Sequence, residues 1–341
     1  MTYRTSFSNL GAVLEGLASA YKVIAPVEKG GKVNFEEYAE GKKVNLSAMT
    51  VKSAKDAFFP QSEDLMKFRM ENKTITVAPK DVTTAPYVLF GVRACDLKSF
   101  EILDRVFLAD PVDEYYKSKR EAAVIFTLAC KNPEDSCFCT EFSVDPSNPM
   151  GDVTVWTDGE ELIFRPNTEK GKKALEHVSC LVEGGDEKAA EVSAEIKRKV
   201  ENLPLKNIGF DEIDYRNLKK YFDSDKWESL HKGCLACGTC TFVCPTCQCY
   251  DIKDFNTGNG VVRFRCWDSC MYSEFTKMSA GQPRLTQKER FRQRFMHKLV
   301  YFPERYEGMF SCVGCGRCLA KCPISMNIVK VMKTIGGKNN D

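Results

Sequence analysis

Short apolar runs alternate with polar and helical stretches in the first half of the chain. Residues 21–25, 87–92 and 123–128 are rich in β-branched and aromatic side chains, as expected of buried strands. After the second run, apolar residues at helical spacing continue to Phe107, and Asp96 is the predicted N-terminal cap of that helix. This alternation predicts an α/β domain.

A hairpin and a helical connector follow these elements. Alternating residues at 153–164 surround Asp158 and Gly159, which predicts a two-stranded hairpin with its turn at that pair. Residues 186–200 carry apolar side chains on one helical face within a charge-rich stretch. The predicted organisation is an α/β domain at residues 1–165, a helical connector at 166–230 and a cysteine-rich domain at 231–341.

The charge and hydropathy patterns exclude several classes of protein. The sequence has 49 basic and 47 acidic residues, a balance that argues against a dedicated nucleic-acid or membrane-surface binder. It contains neither the apolar core of a signal peptide nor an apolar run of ~20 residues. We therefore expect a cytoplasmic protein without membrane insertion.

Cysteine is the unusual residue of this sequence. The chain has 17 cysteines and only 3 histidines, and most of the cysteines fall in the C-terminal third. An odd number concentrated in this way does not resemble a secreted disulfide framework. Thiolates select zinc, copper(I) or iron–sulfur clusters, so the sequence predicts metal binding.

A four-cysteine motif occurs twice, beginning at Cys234 and at Cys312. Both copies have the spacing C-x2-C-x2-C-x3-C-P, in which three cysteines bind one [4Fe-4S] cluster and the fourth binds its neighbour. The alternative is a pair of structural zinc sites, which favour two separated cysteine pairs. The predicted ligands are Cys234, Cys237, Cys240 and Cys322 for the first cluster, and Cys312, Cys315, Cys318 and Cys244 for the second. Helical patterning between the motifs predicts a C-terminal α-helical two-[4Fe-4S] ferredoxin-type domain.

Four further cysteines lie in the predicted α/β domain. Cys95 and Cys130 follow neighbouring predicted strands, and Cys137 and Cys139 come directly afterwards. Residues beyond the carboxyl ends of adjacent parallel strands converge at one crevice, so these four are the candidate ligands of a third [4Fe-4S] cluster. The alternative is that they are buried or redox-active thiols.

The region between the ferredoxin motifs contains cysteines that the two clusters do not use. Cys247, Cys249 and Cys270 are candidates for an additional cluster or a zinc ion, with Cys266 or His297 completing the site. The alternative for the histidine is an ordinary hydrogen-bonded role.

A basic stretch at residues 288–298 has Arg290, Arg294 and Lys298 along one helical face. Such a face is usually solvated. Two functional alternatives are that it offsets the negative charge of the clusters or that it docks an acidic partner. The sequence has no G-x-G-x-x-G or G-x4-G-K-[ST] motif, so nucleotide chemistry is predicted to belong to another subunit.

The cysteine motifs and the segments around them resemble one known group. Residues 234–249, 265–270, 294–298 and 312–323, with the cysteines of the first half, are similar to the dicluster iron–sulfur subunits of anaerobic sulfite reductases and to the β subunits of soluble sulfhydrogenases. The resemblance implies a relay between a flavin subunit that binds NAD(P)H and a catalytic module. That module would be of the sulfite reductase, hydrogenase or heterodisulfide-reductase type.

The sequence therefore predicts an electron-transfer subunit of an anaerobic multi-subunit oxidoreductase rather than an independent enzyme. One alternative is a catalytic iron–sulfur subunit that reduces a sulfur compound at an incompletely ligated cluster. The other is a zinc-bound structural or assembly protein.

Overall fold

A computed structural model describes residues 1–71, 73–209 and 213–336 of the chain. Its strands are β1 (Tyr3–Ser6), β2 (Lys22–Lys29), β3 (Lys32–Glu37), β4 (Ser62–Glu71), β5 (Thr74–Pro79), β6 (Tyr87–Arg93), β7 (Ala123–Leu128), β8 (Val153–Thr157), β9 (Glu161–Pro166), β10 (Val182–Glu183), β11 (Tyr250–Asn256) and β12 (Val261–Trp267). Its α-helices are α1 (Leu10–Ala18), α2 (Ala94–Phe107), α3 (Glu114–Ala122), α4 (Glu169–Leu175), α5 (Asp186–Glu201), α6 (Leu218–Phe222), α7 (Lys226–Leu230), α8 (Thr239–Phe242), α9 (Gln287–Met296), α10 (Phe302–Arg305), α11 (Arg317–Ala320) and α12 (Ile328–Gly336).

The first half of the chain folds around a mixed eight-stranded sheet in the order β10-β1-β9-β8-β7-β6-β2-β3. Every residue of β6 and β7 is buried, because these apolar strands lie parallel in the middle of the sheet and are covered on both faces. The three predicted strands and the predicted hairpin, which is β8 and β9, are confirmed.

Helices cover both faces of the large sheet. One face packs against Val13 and Leu17 of α1 and Leu175 of α4, and the other against Phe100 and Leu103 of α2. Helix α5, which the sequence predicted, buries its apolar side against the sheet near Trp156. The resulting layered α/β arrangement is the fold class expected for this half.

Helix α2 begins earlier than predicted. Its N-cap position is Arg93 and its first residue is Ala94, so Asp96 lies in the first turn and is not the cap. The side chain of Asp96 is instead fully buried and paired with an arginine from the other end of the chain. Cys95 consequently lies in α2 and does not terminate the strand.

A second sheet joins the two halves of the chain, with the order β11-β12-β4-β5. The buried Arg265 on β12 donates two hydrogen bonds to Glu63 on β4, at 3.0 and 2.6 Å, which fixes the pairing. The helical pattern predicted between the cysteine motifs is therefore wrong at residues 250–267, where the chain forms a hairpin. The sequence missed it because β11 is mostly exposed, β12 is mostly half-buried, and both strands carry charged residues that break the usual apolar alternation.

Short helices surround the cysteine motifs in the last third of the chain. Helix α9 begins with a capping box of Thr286 and Glu289 and continues into a π-helical turn at His297–Tyr301. Phe291, Phe295 and Leu299 point from this segment into a core shared with α12. Among the helices of the described residues, none has the length and apolar character needed to cross a membrane.

Candidate metal centres

The two four-cysteine motifs form loops with nearly the same backbone. The third residue of each loop has a positive φ, 54° at Ala236 and 59° at Gly314. The fifth residue does as well, 73° at Gly238 and 75° at Gly316, and it precedes a short helix, α8 or α11. The same left-handed turns thus direct the cysteines of both loops.

The loop that begins at Cys312 encloses a small cavity of about 20 Å³. The cysteines that line it are Cys244, Cys312, Cys315 and Cys318, the four predicted for one cluster. Burial raises the pKa of Cys312 to about 12, so a thiolate would need a metal or a nearby cation to be stable there. The cavity has the donor set that an iron–sulfur cluster requires.

Two buried cations, Arg294 and Lys298, line the same cavity. Burial lowers the pKa of Lys298, but the sulfurs of Cys244, Cys247 and Cys312 outweigh it and raise the pKa above its usual value. The pKa of Arg294 is raised against burial in the same way by cysteines of both loops. The expectation of a solvated basic face is therefore wrong for these two residues, and their surroundings favour charge compensation.

The cysteine loop of the first half packs directly against the Cys312 loop. The backbone N–H of Phe138 donates to the carbonyl of Gly314 at 2.8 Å, and the Cys137 thiol donates to the carbonyl of Cys315 at 3.8 Å. A Cβ on Gly314 would lie 2.3 Å from the Phe138 carbonyl oxygen, so this close approach needs glycine. The third predicted set of cysteines is thus adjacent to the second.

Cys95, Cys130, Cys137 and Cys139 are all buried. Arg93 donates to the Cys130 sulfur at 2.8 Å. Cys95 in the first turn of α2 and Cys130 just after β7 follow two neighbouring parallel strands. Burial, together with the nearby Cys130 and Cys315, raises the pKa of Cys137 to about 12. Their assignment to a third cluster stays a prediction, and the proximity of these sulfurs is what it requires.

A buried ion pair connects the Cys312 loop to helix α2, next to Cys95. Arg317, which directly follows Gly316, donates to both carboxylate oxygens of Asp96 at 2.6 and 2.8 Å. Its remaining donors bond to Thr50, to the carbonyl at 3.0 Å and to the hydroxyl at 2.9 Å. The guanidinium is therefore satisfied, as a buried charge must be.

The loop that begins at Cys234 is more exposed. Cys237 is exposed, and hydrogen bonds with Thr239 lower the pKa of its thiol. Tyr272 donates to the carbonyl of Cys237 at 3.2 Å, which holds the loop from one side. A Cβ on Gly233 would lie 3.3 Å from the Met326 side chain, so this loop contacts the segment that carries Cys322. The predicted Cys234, Cys237, Cys240 and Cys322 set stays a prediction.

Cys247, Cys249 and Cys270 lie near one another and near Cys244. The Cys270 thiol donates to Cys249 and lowers the pKa of Cys249 to about 7. The Cys247 thiol donates in the same way to Cys244. The charged neighbours of Cys266 are Lys253, Asp251 and Asp268, with no cysteine among them.

His297, the alternative ligand for this site, packs against an aromatic ring. Its ring packs edge-on against Phe302, and burial lowers its pKa to about 4. An additional metal site on Cys247, Cys249 and Cys270 stays a prediction.

Within residues 1–71, 73–209 and 213–336, no group of three or more histidine, cysteine, aspartate or glutamate side chains is arranged to hold one metal ion. In a [4Fe-4S] cube each thiolate binds a different iron, so its four sulfurs stand further apart than the ligands of a single zinc ion.

Sequence reasoning did not find Lys55, although it is only 2% exposed beside the cysteines. Its ammonium donates to the carbonyls of Cys244 and Cys247 at 3.0 and 2.7 Å and lies 3.8 Å from the centre of the Trp267 ring. No local signal marks this lysine, since it lies almost 190 residues before the groups it binds.

Comparison with known proteins supports the iron–sulfur interpretation. Residues 233–326 match the family model described as a 4Fe-4S dicluster domain. Over 317 residues the chain is 30% identical to the sulfhydrogenase 2 subunit beta of Pyrococcus furiosus, with 92% of each chain covered. No solved structure matches the chain significantly.

Proposed function

The chain belongs to the family of sulfhydrogenase beta subunits, and we therefore propose that it is an iron–sulfur electron-transfer subunit of a hydrogenase-type complex. The observation that carries the proposal is the cavity lined by Cys244 and the three cysteines of the Cys312 loop. The sequence motif demands that combination of a remote cysteine with a compact loop.

The proposed ligands are those of the two motifs in a helix-rich C-terminal domain. One [4Fe-4S] cluster would be held by Cys312, Cys315, Cys318 and Cys244, and the other by Cys234, Cys237, Cys240 and Cys322. Such clusters supply one-electron redox chemistry at a potential set by charge, hydrogen bonds and solvent exposure. No side chain beside the two loops is proposed as an acid or base, because transfer of an electron needs neither.

Two cationic residues determine the charge around the buried cluster. Arg294 and Lys298 would offset the negative charge of four thiolates in the buried site, which favours the reduced form. Lys298 is held by the Thr246 hydroxyl at 2.8 Å and the Ser311 carbonyl at 2.9 Å, so its charge is fixed in position.

A third cluster on Cys95, Cys130, Cys137 and Cys139 would extend the pathway. The contacts of Phe138 and Cys137 with the Cys312 loop support a row of three sites that begins at the exposed Cys234 loop. Electrons would enter at one end of the row and leave at the other. A site on Cys247, Cys249 and Cys270 would lie beside this row and would hold either a further cluster or zinc.

The proposed setting is an anaerobic cytoplasmic complex. Its partners would be a flavin subunit that binds NAD(P)H and a catalytic redox subunit of the hydrogenase, sulfite reductase or heterodisulfide-reductase type. The homologous protein is itself a sulfhydrogenase subunit, and the chain has no nucleotide-binding motif of its own. No interaction with nucleic acid is proposed.

The test is the iron and acid-labile sulfide content of anaerobically purified protein, with electron paramagnetic resonance of the dithionite-reduced form. We expect at least about eight iron atoms per chain, and about twelve if the third cluster is present. Stoichiometric zinc without sulfide would contradict the proposal.

Single substitutions assign the sites. Cys315→Ser should remove about four iron atoms through the buried cluster, and Cys137→Ser should remove about four only if the third cluster exists. Cys180→Ser is the matched control, since Cys180 is half-buried against the core of the large sheet and should leave the iron content unchanged. Cys249→Ser tests the additional site in the same assay.

A further inference from the structure

The Cys234 loop is where the row of cysteines reaches the surface. Leu235 is 64% exposed beside Cys234, and Ile324 is 37% exposed two residues after Cys322. Gly233 brings the two segments together, since a Cβ there would lie 3.9 Å from Ile324 Cδ1. Two apolar side chains next to the candidate ligands of the first cluster are thus exposed.

This surface is basic. The sequence has no aspartate or glutamate at residues 231–250 or 308–340. Lys232 and Lys321, which flank Cys234 and Cys322, are exposed and form no ion pair with another described residue. The nearby carboxylate of Glu228 is paired with Lys288. The charged residues that flank Cys234 and Cys322 in the chain are therefore positive.

The opposite end of the row has the other sign. Glu134 and Asp135 are exposed on the loop between Cys130 and Cys137, where the first-half cysteines lie. An approaching protein would meet a different potential at each end. The sign of the surface charge therefore distinguishes the two ends of the row. The spacing of the cysteines does not distinguish them.

We propose that the surface of Lys232, Leu235, Lys321 and Ile324, the docking face, binds an electron-carrying protein whose own cofactor is surrounded by acidic residues. This inference rests on the proposed function. Opposite charges at the rim accelerate and orient the encounter, while the apolar centre excludes water between the two redox groups. The acidic opposite end is unsuited to the same partner.

The docking face is tested by measuring the binding of an acidic flavodoxin in its oxidised form. The measurement is calorimetry on the fully metal-loaded protein, at low and at high salt. We expect affinity that falls as ionic strength rises. The double variant K232E/K321E should weaken binding about tenfold at low salt. The matched control is K29E/K32E, which makes the same change in net charge at the turn between β2 and β3, where both lysines are exposed.

The outcomes separate this inference from the proposed function. The docking face would be overturned by any of three results: equal affinity in the wild type and K232E/K321E, an equal loss in K29E/K32E, or no binding by the wild type. A full iron content in that case would leave the electron-transfer role intact. If K232E/K321E loses iron, K232Q/K321Q replaces it, with an expected weakening of about threefold. L235Q should weaken binding without changing the salt dependence.

Discussion

The loop that begins at Cys234 and the loop that begins at Cys312 turn through the same backbone conformation, but only the second is enclosed by the rest of the protein. Ala236 occupies the left-handed position in the first loop, and Gly314 occupies it in the second. At Gly314 a Cβ would meet the backbone of Phe138, whereas Ala236 belongs to a loop that is largely at the surface. The cysteine spacing determines the backbone turn, and the surrounding protein determines whether alanine or glycine occupies its left-handed position.

The chemical surroundings differ as well. The pKa of Cys237 is lowered by its hydrogen bonds with Thr239, while burial raises the pKa of Cys312 to about 12. Only the second loop has a buried arginine, Arg317, that connects it to the α/β domain through Asp96. Under the proposed function, the exposed loop would exchange electrons with a partner and the enclosed loop would pass them onward within the protein.

Loss of the ion pair between Arg317 and Asp96 should have the largest effect on stability. Asp96→Ala leaves a fully buried guanidinium without its carboxylate, which costs about 3–5 kcal/mol. We expect a lower urea midpoint for the anaerobic loss of visible cluster absorption. The cluster of the Cys312 loop, the enclosed cluster, should be lost before that of the Cys234 loop, the exposed cluster.

The matched control is Asp254→Ala, which breaks an exposed ion pair with Arg263. Such a pair contributes about 0–1 kcal/mol, so its midpoint should stay close to that of the wild type. Equal midpoints for the two variants would show that the enclosed loop does not depend on its connection to the α/β domain.

Gly314→Ala should have the next largest effect. Its methyl group would overlap the Phe138 carbonyl, and overpacking of this kind costs about 1–3 kcal/mol. We expect the variant to lose about four iron atoms, with the electron paramagnetic resonance signal of the exposed cluster retained.

Gly258→Ala separates steric overlap from backbone strain. Gly258 also has a positive φ, 83°, but a Cβ there meets nothing within 4 Å. Its iron content should equal that of the wild type. If the two glycine variants behave alike, backbone strain alone explains the effect and the contact with Phe138 is unimportant.

Lys298→Met should shift a potential with a smaller effect on stability. Removal of a fixed positive charge near Cys244 and Cys312 favours the oxidised form, so the reduction potential of the enclosed cluster should fall by on the order of 50 mV, about tenfold in equilibrium constant for one electron. Redox titration followed by electron paramagnetic resonance measures it. The control is Lys288→Met, which removes a partly exposed charge already paired with Glu228. A shift of equal size in the control would contradict the role of Lys298.

The sequence predicts the parts of the molecule that short-range patterns determine. The strands β6 and β7 follow from apolar runs, and the repeated cysteine spacing predicts the two similar loops. The hairpin at β11 and β12 was not found in this way, because β11 is mostly exposed and β12 also pairs with β4, about 200 residues earlier in the chain. Lys55 and the pair of Asp96 with Arg317 were missed for the same reason. Each is a long-range contact between polar residues, and a single sequence carries no local pattern that marks such a contact.

Ala236→Gly should have the smallest effect, and it tests why the two loops carry different residues at the same position. Alanine in the left-handed region is strained by roughly 1–2 kcal/mol, which glycine relieves. Glycine in turn loses more conformational freedom on folding, about 0.5–1 kcal/mol. The two contributions nearly cancel, so we expect the urea midpoint to stay the same or rise slightly and the iron content to remain that of the wild type. Gly314→Ala is expected to remove the enclosed cluster. If Ala236→Gly likewise removed the exposed cluster, the methyl group of Ala236 would have a packing role. Exposure of the loop could then not explain why alanine is accepted there.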